Sequence, residues 1–344
     1  FAFLSSANVR RRRRAAGFHG SSPAAPHPLP PASPMASSSP WCAAVYAFKR
    51  STAAWTPARA AAAAALAKAM QLPLHIVAFD YLQALAFAGL FAPEQVRQAR
   101  EGYLHTHRQW LAAQAQALSE QGLTVTSEVV WVQHPYEEIL HFVNELSLAL
   151  IIKDAEDDSG LKRVFFTPLD WQLLRDCPVP VHLVTGDARP RPRQVLAIVD
   201  VLRSEEQDTV FNDQIIAAAR KLAVECAASL ELVHVYDWTA AYAMDMGVGV
   251  LPLATGIYEA LGSAQEEAFA ALAERHGVPP QHRHFLEGTP VPRICEFAEA
   301  HHTDVIVMGT VQHGGLDKLL GTTAELLLQR APCSVLAIKP GKTL

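Results

Sequence analysis

A chain of 344 residues, half of them apolar, is long enough for two domains of ordinary size, each with its own core. Its 29 Lys and Arg stand against 34 Asp and Glu, a mildly acidic balance that excludes nucleic acid or an anionic membrane as a partner recruited by bulk charge. The five cysteines, Cys42, Cys177, Cys226, Cys295 and Cys333, show neither metal-ligand nor redox CxxC spacing, and no run of eighteen apolar residues is uninterrupted, so a cytoplasmic protein with reduced thiols and no membrane insertion is expected.

Residues 1–40 form a segment that cannot fold alone: five arginines, Arg10 to Arg14, precede a Ser, Pro and Ala tract from Ser21 to Pro40. We read it as disordered or non-native, with Met35 as a natural start; its basic, Ser-rich composition is also that of a transit peptide. After Pro40 short apolar runs alternate with amphipathic windows, the pattern of βαβ units. Strands are predicted at Cys42–Phe48, Leu74–Phe79, Thr124–Val132, Leu148–Lys153 and Val181–Val184. Helices are predicted at Pro57–Met70, Pro93–Gln121, Tyr136–Leu146 and Leu169–Arg175.

Past a linker at Gly186–Arg193, broken by Pro190 and Pro192, the order recurs. Strands fall at Val195–Asp200, Leu230–Tyr236, His282–Leu286, Asp304–Met308 and Val335–Ile338, with helices at Asp213–Ala228, Ile257–Arg275, Pro292–His301 and Thr322–Gln329. LLRDCPVPVHLV, ending at Val184, lies over LLQRAPCSVLAI, ending at Ile338, at an offset of 154; LALIIK, ending at Lys153, lies over DVIVMG, ending at Gly309, at 156. A repeat of this length is a whole domain. The expected fold is α/β, two tandem doubly wound parallel five-stranded sheets at 41–188 and 189–344, each with a crevice at the carboxyl ends of its strands.

The segment from Asp304 to Pro340 carries the chemistry. A buried strand leads to a glycine-bearing loop, and Gly321, Thr322 and Thr323 open a helix whose N–H groups and hydroxyls suit an anion. Alternatively Gly309, Gly314 and Gly315 are turn residues and Thr322 is a cap answered by Glu325 in a capping box.

A GT turn after a strand, a glycine loop, the GTTAE start of a helix and the closing SVLAIKP together resemble the universal stress protein signature. The resemblance implies an adenine nucleotide alpha hydrolase-like fold in each half. ATP-binding members carry Gly, two residues, Gly, nine residues, then Gly with Ser or Thr; here Gly309 and Gly321-Thr322 take the outer positions, Gln312 stands for the middle glycine, and the spacing is one residue short. The resemblance assigns the nucleotide to the second domain, through Asp200 on the ribose or adenine, the backbone at Val235, and Gly309, Thr310, Gly314, Gly321, Thr322 and Thr323 on the phosphates. Asp200 is otherwise a helix cap. Gly288 and Thr289 close the third strand.

In the first half the repeat sets Lys153 against Gly309, and DAEDDSG, Asp154 to Gly160, puts four carboxylates where phosphates would lie, opposing ATP there. FFTPLDWQLLRDCPVPV, Phe165 to Val181, closely resembles the first-domain signature of tandem, E-type stress proteins. His282, His284, His301 and His302 lack the spacing of a metal site and read as exposed polar residues. No GxSxG elbow and no P-loop lysine occurs, so no catalytic residue is named. Two apolar segments, Leu82–Pro93 and Ala240–Tyr258, follow the second strand of each half and cover an interface or line an apolar pocket. The function implied is a stress-response scaffold with weak or residual binding of ATP, with Mg entering alongside the nucleotide. The alternatives are a slow ATPase and a carrier of an apolar or acyl metabolite. The two domains are expected to act as a pseudo-dimer within one monomeric chain.

Overall fold

Each half of the repeat folds as a parallel half-sheet, and the two half-sheets join edge to edge. The computed structural model describes residues 41–47, 57–88, 91, 93–157, 164–165, 167–185, 188–201, 206–237, 255–310 and 321–341. The Arg10–Arg14 run, Met35, Gln312, Gly314, Gly315 and positions 240–254 lie outside them.

The first half runs β1 (Trp41–Ala47), α1 (Pro57–Ala69), β2 (Leu74–Asp80), α2 (Gln83–Ala88), α3 (Pro93–Ser119), β3 (Val125–Trp131), α4 (Tyr136–Glu145), β4 (Leu148–Asp154), a two-residue pair β5 (Glu156–Asp157) and β6 (Val164–Phe165), α5 (Pro168–Asp176) and β7 (Val181–Val184). The second runs β8 (Gln194–Ile198), α6 (Glu206–Cys226), β9 (Ser229–Tyr236), α7 (Thr255–Arg275), β10 (Arg283–Glu287), α8 (Pro290–Ala300), β11 (Val305–Gly309), α9 (Thr322–Leu328) and β12 (Ser334–Ile338). All seven residues of β2 are buried, as befits a strand covered on both faces. In α3 a stripe of Leu104, Leu111, Ala115 and Leu118 turns inward at helical spacing.

The ten long strands form one sheet in the order β10-β9-β8-β11-β12-β7-β4-β1-β2-β3. Pairing is parallel within each half and antiparallel at the seam, where Val335, Leu336 and Ala337 face Leu183, His182 and Val181. The carboxyl ends of the two half-sheets therefore point in opposite directions. Helices α1, α3, α6 and α7 pack on one face and α4, α5, α8 and α9 on the other, so each apolar layer runs unbroken across the seam. Lys339, at the end of the second half, reaches over it: Nζ donates to Cys177 O at 2.5 Å and to Leu173 O at 3.0 Å, the latter also accepting the Cys177 N–H, so the lysine ties the end of α5 to the close of β12.

The ladders correct the repeat alignment by one residue. Asp154 pairs with Val184, and Gly309 pairs with Ile338. Since Val184 and Ile338 correspond, Asp154 stands in the place of Gly309, and Lys153 in that of Met308. The faces agree: Lys153 reaches α5, whereas a Cβ on Gly309 would run into α6 on the other side. Two further boundaries move. Helix α6 begins at Glu206, seven residues before the expected start, which puts Asn212 inside the helix, where its Nδ2 donates to Asp200 O at 2.7 Å and its Oδ1 accepts the Asp200 N–H at 3.2 Å. Strand β8 ends at Ile198, so Asp200 sits two residues beyond it.

Candidate functional site

In the second half Asp200, Val235, Gly309, Thr310 and Gly321 all lie at the carboxyl end of the sheet. Val199 extends the β8/β9 ladder by donating to Val233 O at 3.0 Å, which sets the exposed Asp200 just past the strand ends. Val235 pairs with Leu286 near the end of β9. Its neighbour His234 is 3% exposed; Nδ1–H donates to Val199 O at 3.1 Å, and Nε2 lies 3.1 Å from Gln265 Oε1, tying the tip of β8 to α7. The sequence analysis missed this stitch, whose partners are 31 and 35 positions away.

Thr310 is fully buried. Its N–H and hydroxyl both turn to Ile338 O, at 3.2 and 3.5 Å, so it serves β12 rather than facing a crevice. Gly321 N–H donates to Thr310 O at 3.2 Å. Gly321, not Thr322, is the cap of α9: its carbonyl accepts Glu325 N–H at 2.9 Å, no side chain caps the first turn, and Thr322 and Thr323 follow as exposed helical residues. Gly309 has a packing reason to be glycine. A Cβ there would lie 2.6 Å from Phe211 Cζ and 3.2 Å from Ile215 Cδ1 on α6.

The matching place in the first half is filled by its own side chains. Thr167 caps α5 and forms a capping box with Asp170. Asp170 Oδ2 accepts Thr167 N–H at 2.6 Å and its hydroxyl at 2.8 Å, while Oδ1 lies 2.9 Å from Lys153 Nζ. Both members of the pair are buried, Lys153 to 1% and Asp170 to 0% exposure. Asp154, which was expected to repel phosphate, is itself buried, and its carbonyl accepts from Lys153 at 2.9 Å.

Two other polar clusters went unread in the sequence. At the end of β2, Asp80 accepts Tyr103 OH at 3.0 Å and holds His107 Nδ1 at 2.5 Å, with Trp131 edge-on to Tyr103. Burial, then the Asp80 carboxylate, pushes the Tyr103 phenol up to about 12. On the other half Glu231 spans His282 Nδ1 at 2.8 Å and His284 Nε2 at 2.7 Å, so these histidines are half-buried hydrogen-bond partners of one carboxylate rather than exposed polar residues. No three His, Cys, Asp or Glu side chains gather to hold a metal ion among the described residues. None of the described helices is long and apolar enough to cross a membrane.

The apolar segment after β2 forms α2, with Phe87 and Phe91 exposed and their rings 5.7 Å apart. Its counterpart in the second half follows β9. Because β2 and β9 stand ninth and second in the sheet and end on opposite sides, the two segments are anchored about 34 Å apart along the sheet, and the pseudo-two-fold does not bring their anchors together.

A repeated parallel half-sheet in the order third, second, first, fourth, fifth strand, with helices on both faces, defines a tandem doubly wound α/β protein. Residues 44–185 and 193–339 each match the profile of the universal stress protein family, and the chain belongs to that family. It is similar to the universal stress protein E homolog of Haemophilus influenzae, 28% identical over 258 residues that cover 74% of this chain and 82% of that one. Universal stress protein E of Salmonella typhi is 29% identical over 254 residues, covering 73% and 80%. Among solved structures, a putative universal stress protein from Pseudomonas aeruginosa shares the fold at a TM-score of 0.65 and 24% identity, covering 87% of this chain and 93% of that one. One from Archaeoglobus fulgidus does so at 0.55 and 19%, covering 87% and 98%.

Proposed function

We propose that this universal stress protein is a stress-response binding scaffold whose second domain weakly holds an adenine nucleotide, while its first domain serves as a fixed structural mate. One observation supports the reading: Asp200, Val235, Gly309 and Gly321 lie at the carboxyl ends of the strands in the second half, whereas the corresponding place in the first half holds the buried Lys153–Asp170 pair. Asp200, pinned through its backbone by Asn212, is placed to accept from ribose or adenine, and the backbone at Val235 lines the base. Thr322 and Thr323 supply hydroxyls to the phosphates; Thr310, turned to Ile338, supports the loop instead. A divalent ion such as Mg enters with the nucleotide, on its phosphates. Domain limits at 41–188 and 189–344, a cytoplasmic location and a chain that is monomeric because it contains its own dimer belong to the same proposal.

Titration calorimetry with ATP and Mg tests it. Asp200→Ala and Gly321→Val should each weaken binding at least tenfold, and Gln312→Gly, which supplies the missing glycine, should tighten it. Crystals soaked with the nucleotide should show density in the second crevice. Density confined to the first crevice, or heats that none of these changes alters, would overturn the reading.

A further inference from the structure

The Lys153–Asp170 pair has a geometry that its sequence setting explains and that the second domain lacks. Asp170 is the third residue of α5, and its carboxylate folds back over the helix start, taking the Thr167 N–H and hydroxyl on Oδ2. Lys153 arrives from the end of β4 with Nζ 2.9 Å from Oδ1 and 2.9 Å from Asp154 O. Oδ1 has no well-directed hydrogen-bond donor, so the lysine meets it as a charge and not as an aligned N–H. A carboxylate is thus enclosed by an ammonium group, a hydroxyl and one backbone N–H in a buried place, a donor set suited to a bound oxyanion.

The repeat shows what stands there otherwise. At the offset of 154 that relates the closing strands, Thr167 corresponds to Gly321, which caps α9, and Asp170 to Ala324. Lys153 corresponds by register to Met308. The second domain has neither the anion nor its counter-ion at these positions. They arise together in the first, because either charge alone at this depth would be strongly destabilising.

We infer that the first domain contains an oxyanion site permanently occupied by its own Asp170 carboxylate, with Lys153 as the fixed cation. The ligand class is a small carboxylate or phosphate, and the T-P-x-D sequence of Thr167 to Asp170 is the covalently tethered ligand. The consequence is a domain locked in its liganded form and indifferent to anions in solution. The inference stands whether or not the second domain takes a nucleotide.

Removing the tether should expose the site. Asp170→Gly and Asp170→Ser, made in the full chain, leave Lys153 and the helix start facing a carboxylate-sized space. Melting temperatures are compared in sodium formate, sodium phosphate and sodium chloride at equal ionic strength. With a Kd of about 10 mM and formate at about 100 mM the folding equilibrium moves roughly elevenfold, so both variants should melt about 3–6 °C higher in formate than in chloride. The parent should show no such difference, and neither should Lys153→Met/Asp170→Leu, which lacks the cation that would hold an added anion and keeps only the Asp154 carboxylate, 3.8 Å from Nζ in the parent. Equal melting of Asp170→Gly and Asp170→Ser in all three salts would overturn the inference. So would an equal rise in the parent, or insolubility of both variants in formate as well as chloride.

Discussion

Placing a methyl group on Gly309 separates two reasons for its being glycine. The backbone there does not adopt the left-handed region, so alanine brings no conformational strain. It brings a collision, since the new Cβ would sit 2.6 Å from Phe211 Cζ and 3.2 Å from Ile215 Cδ1, and Phe211 is only 8% exposed. Overpacking of this kind costs about 1–3 kcal/mol. The reduced entropy of the unfolded chain returns about 0.4–1 kcal/mol. The net loss for Gly309→Ala is then about 1–2 kcal/mol, a fall of about 2–8 °C in melting temperature at 2–4 °C per kcal/mol. Phe211→Leu withdraws the ring and should relieve the strain, giving a coupling of about 1 kcal/mol in a double-mutant cycle read by urea unfolding. ATP titration of the double variant completes the assay: if the glycine serves the seating of α6, binding survives. A Gly309→Ala protein as stable as its parent, or single effects that merely add, would refute the packing argument.

Acid should weaken the protein through two buried imidazoles. Burial holds His75 and His182 down at about 4, against 6.5 when exposed, so the unfolded chain binds the protons first and stability falls as pH drops through 6.5 toward 4. Each contributes a loss of about 2 kcal/mol at pH 5 relative to pH 8, and His182→Leu should remove about half of the combined pH dependence of the urea midpoint. Lys339→Met should lower stability by about 1–3 kcal/mol by taking the lysine from Cys177 O, while Leu173 O keeps the Cys177 N–H, visible as a shift in urea midpoint at unchanged slope.

The strands were legible because each is a short apolar run, and the duplication because the closing strand of each half keeps its Pro and its apolar alternation. What the alignment lost was parity. Setting Lys153 against Gly309 matches two conspicuous residues, but it puts a side chain facing α5 over a position facing α6; β4 and β11 are apolar on both faces, so no alternation in either marks the slip. The capping box was legible in Thr167-Pro168-Leu169-Asp170, whereas its counter-ion, 17 residues earlier on another element, was not. Asp80 with His107, Glu231 with His282 and His284, and His234 with Gln265 are likewise tertiary pairings that no local spacing announces. At the candidate site, sequence located the right end of the sheet. It did not distinguish Asp200, which faces solvent there, from Thr310, which is consumed by β12.

The antiparallel seam makes the two halves unequal partners. At its centre His182 stands opposite Leu336, its own counterpart at the offset of 154. A first half released from the chain and paired with a second copy of itself through β7 would set His182 against His182 in a dry interior, two imidazoles with no wet side to turn to. A second half doing the same through β12 would meet leucine with leucine. Self-recognition is thus discouraged in one half and permitted in the other, and covalent linkage lets the reluctant half find its better match at every folding event. Separated and mixed, the halves should prefer each other, and the excess should gather as second-half homodimers.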